Sequence, residues 1–104
     1  MSINIGLDIG AVSLKMAAIG SEGDCPQFES LASKSSSFFA AEFPDSSPFH
    51  GRPLILSRYR RIQASPIQSV FDLLQEFYEA IPEENIEGIR VTGSGSDLIS
   101  KILG

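Results

Sequence analysis

The residues best suited to chemistry lie near the amino terminus, in the stretch IGLDIGAVSLKM at positions 5–16. Asp8 ends an apolar, β-prone run, where an unpaired carboxylate is costly unless it reaches solvent, a hydrogen-bond donor or a hydrated cation such as Mg²⁺. Gly10 permits a tight turn whose backbone amides could face a phosphate. Ser13 then adds a hydroxyl and Lys15 a positive charge. The spacing alone fits either an ordinary hairpin turn or a phosphate-binding loop.

A second glycine-containing turn, Gly93-Ser94-Gly95-Ser96, follows a β-prone run that ends at Thr92. Open α/β sheets bind ligands at the carboxyl ends of parallel strands, and the amides of a following helix favour anions. The pattern matches neither the complete dinucleotide fingerprint nor the P-loop. Two glycine turns that meet at one sheet edge are more informative than either alone, because a nucleotide cleft takes phosphate contacts from more than one loop.

The two remaining reactive residue types, histidine and cysteine, each occur once. His50 has no second histidine or nearby cysteine with which to hold a metal ion, and no Ser/His/Asp arrangement can be built around it. Cys25 precedes Pro26 in a turn and is expected to be a surface thiol without an internal disulfide.

Charge and hydropathy exclude two classes of partner. Eight basic and thirteen acidic residues give a net charge of −5, which disfavours nucleic acid because binding there depends on phosphate neutralisation. The basic cluster Arg58, Arg60 and Arg61 is expected to be a solvated strand face, with anion or partner contact as the alternative. No stretch approaches the roughly 20 apolar residues of a membrane span, and no signal peptide precedes the first strand. We therefore expect a cytoplasmic protein without a membrane partner.

The elements that would position these residues begin with a hairpin. At 104 residues the chain has room for one domain with a single core. Alternating apolar residues predict antiparallel strands over 3–8 and 13–19, and turn residues at 20–24 lead to a third predicted strand at Gln27–Lys34. Residues 35–53, with four phenylalanines among serines and prolines, are expected to form an irregular loop docked partly on the core.

One long helix is predicted in the second half of the chain, after an extended segment over 54–63. Ser65 can cap this helix, Pro66 suits its first position and Gln68 completes a capping box. An apolar stripe predicts that the helix continues to about Ile81, and its spacing is typical of core packing.

A strand over 88–92 and a short helix over 97–103 are predicted to end the chain. Strand, glycine turn and helix in this order are typical of α/β proteins. The predicted fold class is therefore α/β, with a three-stranded antiparallel meander, a parallel fourth strand and helices.

The stretches GLDIGAVSLKMAAI, YRRIQASPIQSVFDLLQEFYEAI and IEGIRVTGSGSDLISKILG suggest a family. In this order they resemble the start of the CoA-substrate-specific enzyme activases, which are the activator ATPases of 2-hydroxyacyl-CoA dehydratases and benzoyl-CoA reductases. These proteins belong to the actin, hexokinase and Hsp70 superfamily, whose core has a ribonuclease-H-like fold. The resemblance covers most of the chain apart from residues 35–53.

The resemblance implies a role for each turn. Asp8 would be the catalytic carboxylate that orients a Mg²⁺-bound water, and the turn Gly10-Ala11-Val12-Ser13 would hold the β- and γ-phosphates of ATP. Lys15 would approach the phosphates or close the site. The loop Thr92-Gly93-Ser94-Gly95 would border the cleft. The implied strand order is 3-2-1-4, with the long helix packed on the sheet.

The resemblance also implies what lies beyond these residues. We expect the chain to be the amino-terminal part of one ATPase domain, with a hairpin and third strand at 1–34, a loop at 35–53 and the remaining elements at 54–104. Its partners would be the remainder of that domain and a CoA-ester dehydratase or reductase. The parent protein would be a homodimer with a [4Fe-4S] cluster whose ligands are not in this chain.

Two features separate this chain from the usual family pattern. Where the family has hydroxyl-bearing residues after the first glycine, this chain has Ala11 and Val12, so it offers fewer hydroxyl contacts to phosphate. The family's second phosphate loop and adenosine-binding segment are also expected to lie beyond Gly104, so only one side of a phosphoryl-transfer site is supplied and the isolated chain is expected to be inactive as an ATPase. The alternatives are a fragment of a sugar or acid kinase of the same superfamily, or a non-catalytic interaction module.

Overall fold

The computed structural model describes residues 3–62 and 65–93. These residues form a mixed α/β fold in which one mixed sheet of six strands packs against two α-helices. The elements in chain order are β1 (Ile3–Ile9), β2 (Ser13–Ile19), a 3₁₀ turn (Glu22–Asp24), α1 (Cys25–Lys34), β3 (Phe38–Ala41), β4 (Leu54–Ser57), β5 (Arg60–Arg61), α2 (Pro66–Tyr78), a 3₁₀ turn (Glu83–Asn85) and β6 (Ile86–Thr92).

The strand order is β3-β4-β2-β1-β6, and β5 also pairs with β2. β1 and β2 form the predicted antiparallel hairpin. β6 lies parallel to β1 on its other side, as predicted for the last strand, although it begins at Ile86 rather than Gly88. The hairpin and the parallel strand therefore bring the carboxyl ends of β1 and β6 to one edge of the sheet.

The predicted third strand at Gln27–Lys34 is wrong, because this segment is the helix α1. Pro26 lies in the first turn of α1, where its missing amide hydrogen costs nothing. Phe28 and Leu31 are buried three residues apart, and Ala32 packs beside them. This spacing is helical, whereas a strand would have buried every second residue.

The position predicted for that third strand is occupied by β4 and β5, which pair antiparallel with β2. The single extended segment predicted over 54–63 is interrupted at Arg58 and Tyr59, and Gln63 lies outside the described residues. The loop predicted at 35–53 is also partly wrong, since it contains β3, which pairs antiparallel with β4 at the sheet edge.

Helix α2 begins as predicted, with the backbone amide of Gln68 donating to Ser65 Oγ at 3.4 Å. The capping box is not formed, because Gln68 Nε2 donates to Asp72 Oδ1 at 2.8 Å instead of reaching back to the cap. The helix ends at Tyr78, earlier than predicted, and Ile81 is buried just beyond it.

One face of the sheet forms the core with α1 and α2. Alternate residues of β1 and β2 point into this core, and Phe77 of α2 meets the rings of Phe28 and Phe38 edge to face, with centroids 6.3 and 5.9 Å apart. The buried residues are Ile3, Ile5, Leu7, Ile9, Leu14, Met16, Ala18, Phe28, Leu31, Phe38, Ile55, Val70, Leu73, Leu74, Phe77 and Ile81. Burial of one face sets the register of β1 and directs Asp8 to the opposite face.

Neither α1 nor α2 has the length and apolar composition that crossing a bilayer requires. The short helix predicted over 97–103 lies outside the described residues.

Candidate functional site

The candidate site lies where β1 and β6 end at the same sheet edge. In the observed register Asp8 is flanked by Lys15 on β2 and by Thr92 on β6. All three residues are exposed and lie on the face opposite the core. The structure therefore brings the carboxylate and the ammonium group of the hairpin together with the hydroxyl of Thr92, which is distant in the sequence.

Gly93 packs directly against the end of β1. Its φ is +96°, and a Cβ at this position would lie 2.2 Å from the carbonyl oxygen of Ile9 and 3.0 Å from Asp8 Oδ1. Both the left-handed backbone and the close approach require glycine. Gly93, the first residue of the second predicted glycine turn, therefore lies against the end of β1 next to the first turn, while Ser94 and Gly95 lie outside the described residues.

The turn between β1 and β2 uses glycine for a different reason. Gly10 donates its amide to the carbonyl of Ser13 at 2.8 Å, and its φ is not positive. The central turn residues Ala11 and Val12 also lack the positive φ that the usual two-residue hairpin turns need, so this turn is not of that kind. A Cβ on Gly10 would lie 3.0 Å from Ser13 Oγ. Gly10 thus makes room for the Ser13 hydroxyl over the turn.

The tip of this turn presents free amides. Within residues 3–62 and 65–93, the backbone N–H groups of Ala11 and Val12 donate to no protein acceptor. Both residues are exposed, and the carbonyl of Val12 is anchored by the amide of Ile62 at 2.8 Å. Adjacent free amides on an anchored turn can donate to an anion.

The charges of Asp8 and Lys15 are not neutralised by ion pairs in the described part of the chain, where the pairs are His50–Asp45 and Arg60–Glu76. Thr92 Oγ1 lies 3.5 Å from both Asp8 Oδ1 and the carbonyl of Leu7, which is long for a hydrogen bond. Asp8 therefore keeps most of its acceptor capacity for water or a ligand.

A metal ion held entirely by side chains does not fit this site. The described residues contain no group of three His, Cys, Asp or Glu side chains that could hold one. Mg²⁺ has a different requirement, since it usually keeps several waters and uses one or two carboxylates together with substrate phosphates. A single exposed carboxylate beside free amides fits that requirement.

Other candidate residues are placed elsewhere. His50 Nδ1 lies 3.5 Å from Asp45 Oδ1 and 3.3 Å from the carbonyl of Phe43, within the 42–53 loop. Cys25 is a free thiol at the start of α1. The arginine cluster is divided, because Arg60 pairs with Glu76 while the other two arginines are exposed.

Arg90 is a residue of this region that the sequence reasoning missed. It precedes Thr92 by two positions on β6, so it lies on the same face as Asp8 and lines the same cavity of about 760 Å³. The alternation of β6 predicts that Arg90 and Thr92 share a face, but only the pairing of β6 with β1 places that face beside Asp8.

No protein-family model, curated protein or solved structure matches the chain.

Proposed function

We propose that Asp8, the Gly10–Ser13 turn, Lys15 and the Thr92–Gly93 end of β6 form one wall of a magnesium–nucleotide site. The observation that carries this proposal is the close packing of Gly93 on the Asp8–Ile9 end of β1, beside a turn with two free amides. A polyphosphate needs amide donors, a cationic side chain and a metal ligand within one small region, and these residues supply all three.

Each group has a distinct task in this proposal. Asp8 orients a water bound to Mg²⁺, and the metal neutralises phosphate charge when it is bound. The amides of Ala11 and Val12 and the hydroxyl of Ser13 donate to the β- and γ-phosphate oxygens. Lys15, opposite Asp8 in the hairpin, adds a positive charge to the same side.

We further propose that the nucleotide is ATP and that the chain belongs to an ATPase of the CoA-substrate-specific activase type, with a ribonuclease-H-like fold. Such a protein couples ATP hydrolysis to electron transfer into a 2-hydroxyacyl-CoA dehydratase or an aromatic acyl-CoA reductase. The order of hairpin, antiparallel β4, helix α2 and parallel β6 supports this proposal. The [4Fe-4S] cluster and the dimer contacts of such a protein are assigned to residues other than those described.

The test is calorimetric titration of the chain with Mg·ADP and Mg·ATP. We expect binding that weakens when Mg²⁺ is removed, and Asp8→Asn should weaken Mg·ADP binding about tenfold, or about 1.4 kcal/mol, because the amide loses the negative charge that orients the hydrated metal. Asp72→Asn is the matched control, because Asp72 is exposed on α2, on the other side of the sheet. Equal affinities for Asp8→Asn and wild type, or an absence of nucleotide binding by wild type, would contradict the proposal.

A steady-state assay provides a second check. The described groups all approach a nucleotide from one side, whereas phosphoryl transfer needs positioning and charge stabilisation from several sides. We expect no multiple-turnover ATP hydrolysis by the isolated chain. Turnover typical of an ATPase, abolished by Asp8→Asn, would show that the described wall is sufficient.

A further inference from the structure

The face of the sheet opposite the core is a trough, and we call it the open face. The observed register places one row of residues across five strands on this face: Arg90 on β6, Gly6 on β1, Ala17 on β2, Leu56 on β4 and Phe39 on β3. The second and third residues of this row, Gly6 and Ala17, are the smallest, while Arg90 on one side and Leu56 and Phe39 on the other are large. The row is therefore low in the middle and raised at both sides.

No element among residues 3–62 and 65–93 packs as a layer over this trough. The cavity of about 760 Å³ lies there, and its apolar lining includes Leu56, Phe39 and the 60%-exposed Tyr59. Parallel strands usually lie in sheets with both faces covered, whereas among residues 3–62 and 65–93 the helices beside the parallel β1–β6 pair lie on one face only. An apolar surface of this kind at a soluble protein's sheet marks a contact site.

The charge of the open face is opposite to that of the chain. The cavity is lined by three cationic side chains, Lys15, Arg58 and Arg90, and by one carboxylate, Asp8. The whole chain has a net charge of −5. Arg58 is held in place, because its guanidinium lies 5.2 Å from the centroid of the Phe39 ring and its Nε donates to the carbonyl of Ser36 at 3.0 Å. The complement of this face is an apolar surface flanked by acidic groups.

We propose that the open face docks an amphipathic α-helix of a partner protein, with its apolar stripe on Gly6 and Ala17 and its acidic flank toward Arg58 and Arg90. Arg90 and Leu56 are three strand spacings apart, which is about 14 Å. A helix with its side chains is about 10–12 Å across and fits between them. An extended peptide would instead pair with a sheet edge, where backbone hydrogen bonds are available.

This docking site borders the proposed nucleotide wall, because Asp8 and Lys15 line the same cavity. Gly6, Ala17 and Arg90, however, are assigned no phosphate contact. A variant at Ala17 or Arg90 can therefore lose partner binding while it keeps Mg·ADP binding. Asp8→Asn should weaken Mg·ADP binding without weakening binding of the acidic peptide, because it removes the one carboxylate that lines the cavity. Failure of one proposal is thus distinguishable from failure of the other.

The test uses the full chain and three labelled synthetic peptides of about 18 residues, long enough to form a helix on binding. The first has leucine and alanine on one helical face and glutamate on the other. The second has lysine in place of glutamate, and the third has the residues of the first in scrambled order. Fluorescence polarisation should show saturable binding of the first peptide and weaker binding of the other two.

Three variants locate the binding. Ala17→Glu should weaken binding of the acidic peptide at least about tenfold, because its longer side chain fills the floor on which the apolar stripe packs and adds a negative charge beneath it. Arg90→Glu should weaken it about threefold, and more at low salt, where exposed charges are less screened. Ala40→Glu is the matched control, since Ala40 is exposed on β3 but alternates to the other face, and it should leave binding unchanged. Thermal unfolding and Mg·ADP binding of each variant report whether the fold is kept.

Several results would overturn the proposal. These are equal binding of the acidic and basic peptides, no binding of the acidic peptide, or unchanged binding in both Ala17→Glu and Arg90→Glu. A concentration-dependent dimer of the chain that Ala17→Glu dissociates would assign the open face to a second copy and would likewise overturn it.

Discussion

Two clusters of charged residues differ in whether their charges pair with each other. The first joins Arg60 of β5, Glu76 of α2 and Ser37 before β3: Arg60 Nη2 lies 2.5 Å from Glu76 Oε2 and donates to Ser37 Oγ at 3.0 Å, while Ser37 donates to Glu76 Oε1 at 2.6 Å. The second is the row of Asp8, Lys15 and Thr92, which contains no ion pair.

The difference separates structural charges from available ones. The first cluster is partly buried and satisfies its own hydrogen bonds, so it ties α2 to the strands and has little left to offer a ligand. The second cluster is exposed and is positioned by its backbone, through the β1–β2 register and the contact of Gly93 with Ile9. Charges held in place by the fold, but not neutralised by it, remain available to a ligand.

The largest expected effect tests how the second cluster is held. Gly93→Ala should lower the free energy of unfolding by about 2–4 kcal/mol, because the new Cβ meets the Ile9 carbonyl and the residue must also keep a positive φ. Gly51→Ala is the matched control, since Gly51 has a φ of +90° with nothing within 4 Å of an added Cβ, and it should cost only about 1 kcal/mol. Urea unfolding measures the free energy of unfolding of both variants. Equal losses in the two variants would show that the close approach of Gly93 to Ile9 does not affect stability.

A smaller effect should distinguish the two clusters directly. Glu76→Gln removes the charge that pairs with Arg60 and should lower the free energy of unfolding by about 1–2 kcal/mol. Asp8→Asn makes the same chemical change at an unpaired carboxylate and should alter the free energy of unfolding by less than about 0.5 kcal/mol. Chemical denaturation of the two variants gives the comparison. A larger loss for Asp8→Asn would mean that Asp8 is a structural residue.

The smallest effect concerns Tyr78, at the carboxyl end of α2. Burial raises the pKa of this hydroxyl above its ordinary value, and the neighbouring Glu83 carboxylate raises it further. A folded-state pKa above the unfolded value means that stability is complete below about pH 10 and is lost as the pH rises toward the folded pKa. Tyr78→Phe should remove this part of the alkaline loss in pH-dependent urea unfolding. An unchanged alkaline slope would show that other groups cause it.

Local sequence patterns were sufficient for part of the fold. The alternation in β1 and β2 predicted the hairpin, Ser65 and Pro66 predicted the start of α2, and the run ending at Thr92 predicted a strand. Each of these features is set by side-chain periodicity or by a capping residue close in sequence.

The predictions were wrong where a segment fits both helical and strand spacing, or where a strand forms only by pairing with residues distant in the sequence. The turn residues before Gln27–Lys34 favour a returning strand there, whereas Pro26 and the spacing of Phe28 and Leu31 favour the observed helix. β3 exists through its pairing with β4, across a long loop that no local pattern specifies.

The candidate site was predictable in its parts but not in its arrangement. Asp8, Gly10 and Gly93 were identified from their types and positions. Their arrangement depends on the parallel register of β6 against β1, which brings Gly93 onto the Ile9 carbonyl. The same register was needed to place Arg90 on the open face.

The most direct test of the central claim is a two-dimensional amide NMR titration of the ¹⁵N-labelled chain with ADP, in the presence and absence of Mg²⁺. The account predicts Mg²⁺-dependent shifts concentrated at Ala11, Val12, Ser13 and Gly93, with Gly51 unchanged and with the shifts reduced in Asp8→Asn. Shifts concentrated on α2 or in the 42–53 loop, or shifts that do not depend on Mg²⁺ and Asp8, would contradict a magnesium–nucleotide site at the ends of β1 and β6.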